Sequence, residues 1–436
     1  MSQHPEINSQ AAAYIAEASR LAWEVPGLAA GTQPRTVRKV GFIGAGTMGG
    51  GIAMNFATAG YPVTILETRQ DALERGLGIM RANYQRSADR GRFPQDEVDT
   101  RMNRVNGTLE MSDLADCDLI IEAVFEDISI KEKVFADLDG IAKAGAILAT
   151  NTSGLNIDRI AAATKRPADV IGMHFFSPAN VMKLLEIVRA DHTADDVVAT
   201  AMSLAKEVGK IAVLVGVCPG FVGNRILHAR QEQANKLLYT GAMPWDIDAA
   251  INAFGFRMGP YQMADLAGLD IGWSKGAKTK NPIRDALCEI DRRGQKTGAG
   301  FYDYDENRKN TPSPVAEKII REITGAQPRT LSQDEIIEIC IFPMINEGLK
   351  ILEDNKAQRP SDIDVVWLNG YGWPGDKGGP MYYGDQVGAA AILKRMEQLG
   401  AEDPAFAPAE TLKQLARDNS SFLELDLGGL KTAANT

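Results

Sequence analysis

A histidine and a glutamate share one mostly apolar stretch, GMHFFSPANVMKLLEIV, and could act together as an acid–base pair. His174 stands at the end of a predicted strand, where α/β enzymes place groups that face a ligand. Glu186 lies in the apolar run KLLEIV, where a carboxylate is costly unless it is paired. A carboxylate fixes the tautomer of a neighbouring imidazole and stabilises its protonated form. The pair could remove a hydroxyl proton while hydride leaves an alcohol, although a structural His–Glu contact explains the pattern equally well.

A glycine-rich loop, GAGTMG, follows the predicted strand RKVGFI and precedes a predicted helix. Gly44 permits a tight turn, Gly46 lets the backbone approach a pyrophosphate, and Gly49 allows close packing of helix on strand. The helix N-terminus offers unpaired N–H groups to phosphates. Glu67 ends the next strand and could accept ribose hydroxyls while repelling a 2′-phosphate, so NAD is favoured over NADP, although Arg69 weakens that preference. A glycine turn without a ligand is the alternative.

The elements that must position these groups are short apolar runs that alternate with helical stretches from Arg38 onward. Such alternation predicts a parallel, doubly wound sheet with helices on both faces. A long helix, rich in arginine, is predicted over 71–99. The predicted strands cover residues 40–43, 63–67, 119–123, 146–150, 170–174, 184–188 and 211–215.

Composition excludes several classes of protein. The chain has 436 residues, of which 44% are hydrophobic and 24% charged, as is ordinary for a soluble globular protein. Its net charge of −10 argues against a general nucleic-acid binder, and no apolar run approaches the roughly 20 residues that span a bilayer. The four cysteines lie far apart without a C-x-x-C pair, which indicates reduced thiols and neither a disulfide framework nor a zinc site.

Beyond residue 218 helical periodicity replaces the strands, and two segments look alike. Each follows an apolar helical run and contains Asp-Ile-Asp, a loop rich in glycine and proline, and a further aspartate; they run from Asp246 to Asp265 and from Asp362 to Asp385. We interpret them as a duplicated helical module, although coincidence of short motifs would look the same. The predicted organisation is an N-terminal helix and linker (1–37), an NAD-binding domain (38–217) and two helical domains (218–312 and 313–436).

A series of motifs in order resembles the L-3-hydroxyacyl-CoA dehydrogenase family: KVGFIGAGTMGGGIA, IIEAVFED, ATNTSGL, GMHFFSPANVMKLLEIV, CPGFVGNRIL and FGFRMGPYQMADLAGLD. The resemblance implies an α/β Rossmann-like doubly wound sheet followed by an all-α C-terminal region of two repeated helical modules. The duplicated module resembles the dehydrogenase portion of multifunctional β-oxidation enzymes. Those enzymes carry an upstream hydratase/isomerase domain for which this chain has no room, so we expect no hydratase activity.

The resemblance also implies catalytic roles. His174 would be the general base in oxidation, and Glu186 the carboxylate that orients it. Ser153 would hydrogen-bond the 3-oxygen of the substrate and contact the cofactor, while Asn224 would lie near the same oxygen and the nicotinamide amide. Ser153 and Asn224 each have an alternative explanation as the N-cap of the helix that follows.

Other residues would hold the cofactor and the CoA tail. Thr47 and Met48 lie between Gly46 and Gly49 of the loop, and Glu126 and Lys131 match positions that contact the ribose and the nicotinamide side. An ordinary solvated pair at a helix start is the alternative for Glu126 and Lys131. Two further residues match positions that bind the CoA tail, namely Asn83 and Arg90. The nearby arginines suit its phosphates, although a solvated basic helix face would have the same composition.

These residues predict NAD-dependent oxidation of a (3S)-3-hydroxyacyl-CoA to the 3-oxoacyl-CoA in fatty-acid β-oxidation. The alternatives are a dehydrogenase specialised for 3-hydroxybutyryl-CoA, a Rossmann-type dehydrogenase of a free hydroxy acid, and a catalytically silent CoA-binding relative. We expect a cytoplasmic monomer or homodimer that binds an acyl-CoA and NAD, but no metal, nucleic acid or membrane. A thiolase or enoyl-CoA hydratase partner is left open.

Overall fold

The computed structural model describes residues 9–29, 31–276 and 278–426, and its contacts divide the chain into two compact units. The first, called the sheet unit, contains the residues up to Arg225, the segment Ile351–Tyr371 and the residues from Leu423 on. The second, called the helical unit, contains Ile226–Lys350 and Gly372–Phe422. These limits differ from the predicted domain boundaries, because Ile351–Tyr371 groups with the sheet although the sequence predicts it in the last helical domain.

Within the described residues, the sheet unit is built on the strands β1 (Val40–Ile43), β2 (Val63–Leu66), β3 (Val105–Thr108), β4 (Leu119–Glu122), β5 (Ile147–Thr150), β6 (Val170–Phe175), β7 (Leu184–Arg189) and β8 (Ile211–Gly216). They form one sheet in the order β3-β2-β1-β4-β5-β6-β7-β8. Neighbours are parallel except β6 and β7, which are antiparallel. The sheet confirms the predicted α/β fold, and each of the seven predicted strands is present to within one residue at either end.

The helices of the described chain alternate with these strands and then dominate the C-terminal region. In chain order they are α1 (Ser9–Leu21), α2 (Thr47–Thr58), α3 (Gln70–Asp89), α4 (Asp96–Met102), α5 (Ile128–Ile141), α6 (Ile157–Ala162), α7 (Asp195–Glu207), α8 (Gly223–Tyr239), α9 (Pro244–Phe254), α10 (Pro260–Ala267), α11 (Pro282–Glu289), α12 (Pro314–Thr324), α13 (Gln333–Glu353), α14 (Pro360–Gly370), α15 (Pro380–Val387), α16 (Ala389–Glu402) and α17 (Glu410–Asp418). Among the residues that the structure describes, none of these helices combines the length and apolar character that crossing a bilayer needs.

Three local predictions differ from the structure. Strand β3, with the sequence VNGT, is absent from the prediction because it is a partly exposed edge strand with little apolar content. The helix predicted over 71–99 is two helices, because Gly91 at φ +68° and Pro94 interrupt it. The C-terminal region is mostly rather than entirely helical, since β9 (Tyr302–Tyr304) and β10 (Asn310–Pro312) pair as an antiparallel hairpin.

The topology places a crevice beside β1. Chain order reverses there, because β1 pairs with β2 on one side and with β4 on the other. In doubly wound sheets, ligands bind outside the carboxyl ends of the strands at such a switch point. All four residues of β1, β2, β4 and β5 are buried, as expected for strands covered by helices on both faces. The loops after these strands therefore carry the candidate site residues.

The two similar C-terminal segments contain matching pairs of helices. Helices α9 and α14 each have 11 residues, begin at proline and carry Asp-Ile-Asp near their start. Helices α10 and α15 each have 8 residues, begin at proline and end before a glycine with positive φ. Within the helical unit, Asp265 of α10 accepts hydrogen bonds from the Phe301 and Tyr302 amides, and Asp385 of α15 accepts one from the Phe422 amide. The repeated aspartates thus perform the same structural task.

Candidate active site

The His–Glu pair lies on two neighbouring strands. His174 of β6 and Glu186 of β7 are direct cross-strand partners in the antiparallel register. Side chains of such partners point to the same face of the sheet. Nδ1 of His174 lies 2.7 Å from Oε2 of Glu186, and only 7% of the histidine side chain is exposed. The contact leaves the second ring nitrogen, Nε2, for a ligand.

The second oxygen of Glu186 is held by the start of α8. Oε1 accepts hydrogen bonds from the backbone amides of Val222 at 3.2 Å and Gly223 at 2.9 Å. Amides at a helix start have no partner within the helix and carry partial positive charge. Because Glu186 is fully buried, these donors and His174 together compensate for the removal of a carboxylate from water.

A cavity of about 330 Å³ opens beside this pair at the carboxyl ends of β4, β5 and β6. We call it the histidine cavity. Its position agrees with the crevice that the topology predicts. It brings together six of the residues singled out from the sequence: Met48, Glu126, Lys131, Ser153, His174 and Asn224.

Ser153 is tied to Glu126. Oε1 of Glu126 accepts hydrogen bonds from the hydroxyl of Thr152 at 2.6 Å and from the amide and hydroxyl of Ser153 at 2.7 and 3.0 Å. Burial alone would raise the pKa of Glu126, but these bonds and the nearby Lys131 ammonium hold that pKa below its usual value. The Ser153 hydroxyl has one proton, which turns toward either Glu126 or a ligand. Asn156 rather than Ser153 caps helix α6.

Lys131 is buried and paired, not solvated. Its ammonium lies 2.9 Å from both carboxylate oxygens of Glu122, 3.4 Å from the carbonyl of Val124 and 3.5 Å from Glu126. The exposed fractions of the Lys131 and Glu122 side chains are 1% and 0%. The alternative of a solvated pair at the helix start is therefore wrong for Lys131. Glu122 lies in the motif IIEAVFED at the end of an apolar strand, but nothing in that motif indicates that it pairs with Lys131.

Asn224 lies in the first turn of α8 and reaches across the histidine cavity. Its Nδ2 donates to the carbonyl of Ser153 at 3.3 Å, and its Oδ1 accepts from the hydroxyl of Tyr371 at 2.8 Å. The amide therefore bonds to neighbouring segments of the sheet unit. Tyr371 lies in the second of the two similar segments, and nothing in the sequence links it to Asn224.

The glycine-rich loop has the geometry of a dinucleotide cradle. Gly44 has φ +99°, and a Cβ at Gly49 would lie 1.9 Å from the carbonyl oxygen of Gly44. A Cβ at Gly46 would meet nothing within 4 Å, so protein packing does not require that glycine, whereas a closely approaching ligand would. Helix α2 has no side-chain cap at its N-terminus, which leaves its first amides for phosphate. Glu67 accepts a hydrogen bond from the Ala45 amide at 3.1 Å, which fixes its carboxylate beside the loop.

Asn83 and Arg90 line a different cavity. This space, called the arginine cavity, has a volume of about 430 Å³ and is also lined by Arg86 and Arg92. Asn83 accepts a hydrogen bond from Arg86. Gly46 and Thr47 of the glycine-rich loop line the arginine cavity, whereas Met48 lines the histidine cavity. The loop therefore borders both cavities, and the structure divides the predicted site residues between them.

A dinucleotide cradle at a switch point, beside a buried base–carboxylate pair, defines a Rossmann-fold NAD-dependent dehydrogenase. Residues 39–218 match the NAD binding domain of 3-hydroxyacyl-CoA dehydrogenase, which confirms NAD as the cofactor. Residues 220–304 and 336–422 each match the C-terminal domain of the same enzyme. The chain therefore belongs to the 3-hydroxyacyl-CoA dehydrogenase family, as the sequence motifs predict.

Curated relatives extend this comparison. The chain is 42% identical over 442 residues to the peroxisomal bifunctional enzyme of Cavia porcellus, with 94% of this chain and 61% of that protein covered. It is 40% identical over 442 residues to the human peroxisomal bifunctional enzyme, again with 94% and 61% covered. The Arabidopsis thaliana peroxisomal fatty acid beta-oxidation multifunctional protein MFP2 is 36% identical, with 86% and 54% covered. The chain thus spans only about three fifths of the length of these relatives.

Solved structures show the same relationship. The 3-hydroxybutyryl-CoA dehydrogenase of Escherichia coli K12 has a TM-score of 0.75 and 26% identity, with 88% of this chain and 99% of that chain covered. The dehydrogenase part of multifunctional enzyme 1 from C. elegans has a TM-score of 0.66 and 31% identity, with 93% and 96% covered.

The prediction of a cytoplasmic protein is wrong by these comparisons, since the relatives are named peroxisomal or glyoxysomal. The physical reason is simple. Scattered cysteines distinguish a reducing compartment from an oxidising one, but they do not distinguish one reducing compartment from another. An organelle address is a short peptide read by a receptor, and it is independent of the fold.

Proposed function

We propose that this chain oxidises the 3-hydroxyl of a (3S)-3-hydroxyacyl-CoA to a 3-oxo group in fatty-acid β-oxidation. The observation that carries the proposal is the contact between His174 and Glu186 at the wall of a cavity that Ser153 and Asn224 also line. Relatives named for β-oxidation and structures named for 3-hydroxyacyl-CoA substrates support the substrate class.

His174 acts as the general base. Glu186 accepts a hydrogen bond from Nδ1–H, so Nε2 carries the lone pair that takes the proton of the substrate hydroxyl. NAD, when bound, accepts the hydride that leaves C3. The imidazolium that forms is stabilised by the buried carboxylate, which is already oriented by the α8 amides. In the reverse direction the same nitrogen returns the proton to the oxygen.

Ser153 and Asn224 hold the oxygen whose bonding changes. One N–H of the Asn224 amide is directed to the carbonyl of Ser153, and an amide nitrogen has a second N–H to donate. The Ser153 hydroxyl can turn from Glu126 toward the same oxygen. The Asn224 amide is already held before the reaction, and donors fixed in this way stabilise developing charge without reorganisation.

The arginine cavity supplies a site for the phosphates of the CoA tail. Arg86, Arg90 and Arg92 offer planar groups that bind phosphate oxygens in pairs. Asn83 lies among them and positions Arg86. Because the glycine-rich loop borders both cavities, one extended substrate can reach from the arginines to His174.

A short-chain specialisation is the second candidate, favoured by the likeness to a 3-hydroxybutyryl-CoA dehydrogenase. A series of 3-oxoacyl-CoA substrates of increasing length separates the two, since a short-chain enzyme loses kcat/KM beyond four carbons. Hydration of crotonyl-CoA tests directly whether hydratase activity accompanies the oxidation.

The decisive experiment compares acetoacetyl-CoA with free acetoacetate as oxidants of NADH. We expect rapid oxidation with the thioester and little with the free acid, because the arginine cavity binds only the former. Comparable rates with both compounds would indicate a free hydroxy acid dehydrogenase, and no turnover with either would indicate a silent relative. Either result contradicts the proposal.

A further inference from the structure

Tyr371, the last residue of the segment Ile351–Tyr371, contacts the proposed catalytic asparagine. Its hydroxyl donates to Oδ1 of Asn224 at 2.8 Å. Its ring stacks on Trp367 at a centroid distance of 4.5 Å and an angle of 24°, and meets the edge of Phe176 at 5.5 Å and 78°. Two aromatic neighbours therefore hold the ring while the hydroxyl donates to Asn224.

The local backbone accommodates this approach. A Cβ at Gly223 would lie 2.4 Å from the Tyr371 ring, so the absence of a side chain there lets the ring approach the first turn of α8. Asn224, the next residue, lies within reach of the hydroxyl as a result. A larger residue at 223 would displace either the ring or the helix start that binds Glu186.

Two hydrogen bonds determine which end of the Asn224 amide faces the ligand. The Ser153 carbonyl can only accept, so it selects Nδ2, and the Tyr371 hydroxyl then donates to Oδ1 and holds that arrangement. The bond to the Ser153 carbonyl is long, at 3.3 Å, and fixes the amide less firmly by itself. The short bond from Tyr371 keeps the donor end on the side of the histidine cavity.

The two repeated segments indicate that the fold does not need this hydroxyl. The motif of an aromatic residue, glycine and another aromatic residue reads Phe254-Gly255-Phe256 in the first segment and Tyr371-Gly372-Trp373 in the second. The glycine has positive φ in both, at +127° and +67°. Phe254 is buried against other rings of the helical unit, which a phenyl ring does without a hydroxyl. What distinguishes Tyr371 is its bond to Asn224.

We propose that Tyr371 is a positioning residue for the 3-oxygen of the substrate. It acts through Asn224, whose N–H it keeps directed at the oxygen that becomes a ketone. This inference rests on the proposed function, in which Asn224 donates to that oxygen. Tyr371 is not among the residues that line the histidine cavity or the arginine cavity.

The test is a double-mutant cycle in the full chain with acetoacetyl-CoA and NADH. Tyr371→Phe keeps the ring and removes the hydroxyl, and we expect kcat to fall about 3- to 10-fold, as for the loss of one neutral hydrogen bond. KM for NADH and the melting temperature should stay unchanged. In the Asn224→Ala background, Tyr371→Phe should have no further effect on kcat.

Tyr61→Phe is the matched control, because it removes a hydroxyl that donates to Glu207 elsewhere in the sheet unit, outside both cavities. It should leave kcat unchanged. Titration of the NADH-free enzyme with acetoacetyl-CoA gives a second readout, in which Tyr371→Phe should weaken binding less than it lowers kcat. A ketone accepts a weaker hydrogen bond in the ground state than when charge develops on its oxygen.

Each other outcome has a distinct meaning. If Asn224→Ala leaves kcat unchanged, the proposed role of Asn224 fails, and the inference fails with it. If Asn224→Ala lowers kcat but Tyr371→Phe does not, only the inference fails. Equal losses from Tyr371→Phe with and without Asn224 would show that Tyr371 acts independently of the amide. If Tyr371→Phe lowers the melting temperature together with kcat, the role of Tyr371 is in packing only.

Discussion

Two buried carboxylates, Glu186 and Glu122, each pair with a nitrogen group that lines the histidine cavity, and the two pairs differ in what remains available to a ligand. In one, His174 pairs with Glu186, and in the other, Lys131 pairs with Glu122. The ammonium of Lys131 has four nearby acceptor oxygens, two on Glu122, the carbonyl of Val124 and one on Glu126, so none of its three N–H donors is left over. His174 uses one nitrogen for Glu186 and keeps the other. Burial alone therefore does not identify a catalytic group. What distinguishes His174 is that its second ring nitrogen can still bind a ligand.

The largest expected effect on kcat comes from replacing the imidazole of His174. His174→Gln should lower kcat by about 10²- to 10⁴-fold, the usual contribution of a general base, while the Kd for NAD stays nearly unchanged. Steady-state kinetics with acetoacetyl-CoA and a titration with NAD measure the two quantities. His192→Gln, at an exposed position, is the control. A near-wild-type rate for His174→Gln would exclude this histidine from the mechanism.

Breaking the Lys131–Glu122 pair should lower the stability of the fold. Lys131→Met leaves the Glu122 carboxylate buried without its cation, so we expect the free energy of unfolding to fall by about 3–5 kcal/mol. Denaturant unfolding measures the loss. The double variant Lys131→Met/Glu122→Leu should recover most of it, because no charge then remains buried. Lys133→Met on the exposed side of the same helix should change little. If Lys131→Met lowers the free energy of unfolding only slightly, the Lys131–Glu122 pair does not have the stabilising role that distinguishes it from the His174–Glu186 pair.

Glu186→Gln sharpens the comparison by keeping the shape of the first pair and removing its charge. We expect kcat to fall about 10- to 100-fold, less than for His174→Gln, because the imidazole remains but its protonated form loses a counter-charge. KM for NADH should not change. Glu132→Gln, which alters a surface glutamate paired with Arg159, is the control. A loss equal to that of His174→Gln would mean that orientation by Glu186 is as important as the base itself.

The sequence predicts those site residues that neighbouring elements of the backbone bring together. His174 and Glu186 lie on strands joined by a short connection, so their cross-strand contact follows from period-two geometry. The glycine-rich loop follows a buried strand and starts a helix, and both elements have strong local signals. Buried parallel strands are the most apolar runs of the chain, which is why their limits were predictable.

What the sequence did not reveal depends on distant contacts. Tyr371 and Asn224 are 147 positions apart, and no periodicity links them. The Lys131–Glu122 pair joins a helix to the end of a strand, and a lysine at a helix start is solvated in most proteins. Strand β3 is held mainly by its pairing with β2, because its own sequence has little β-propensity. Partners such as these become visible only once the sheet order is known.

Lys210 is a buried lysine whose ammonium donates to backbone carbonyls, and it therefore separates the effect of a buried charge from that of a carboxylate partner. Its ammonium donates to the carbonyls of Ala179 at 2.6 Å and Met182 at 2.8 Å, in the connection between the strands of His174 and Glu186, and lies 6.0 Å from the centre of the Phe175 ring. Burial, with a smaller contribution from the like charge of Lys183, lowers the pKa of Lys210 to about 8, against 10.5 in the unfolded chain.

The lowered pKa of Lys210 defines how this group changes the stability of the fold with pH. Between about pH 8 and 10.5 the unfolded chain binds more protons at this lysine than the folded protein does, so this group makes stability rise with pH. Below pH 8 the charged form costs stability, and that cost should be constant. The wild type should thus gain free energy of unfolding relative to Lys210→Met as the pH rises from 8 to 10, whereas the exposed Lys206→Met should show no such trend. A difference that does not change with pH would mean that the two carbonyls fully compensate the buried charge of Lys210.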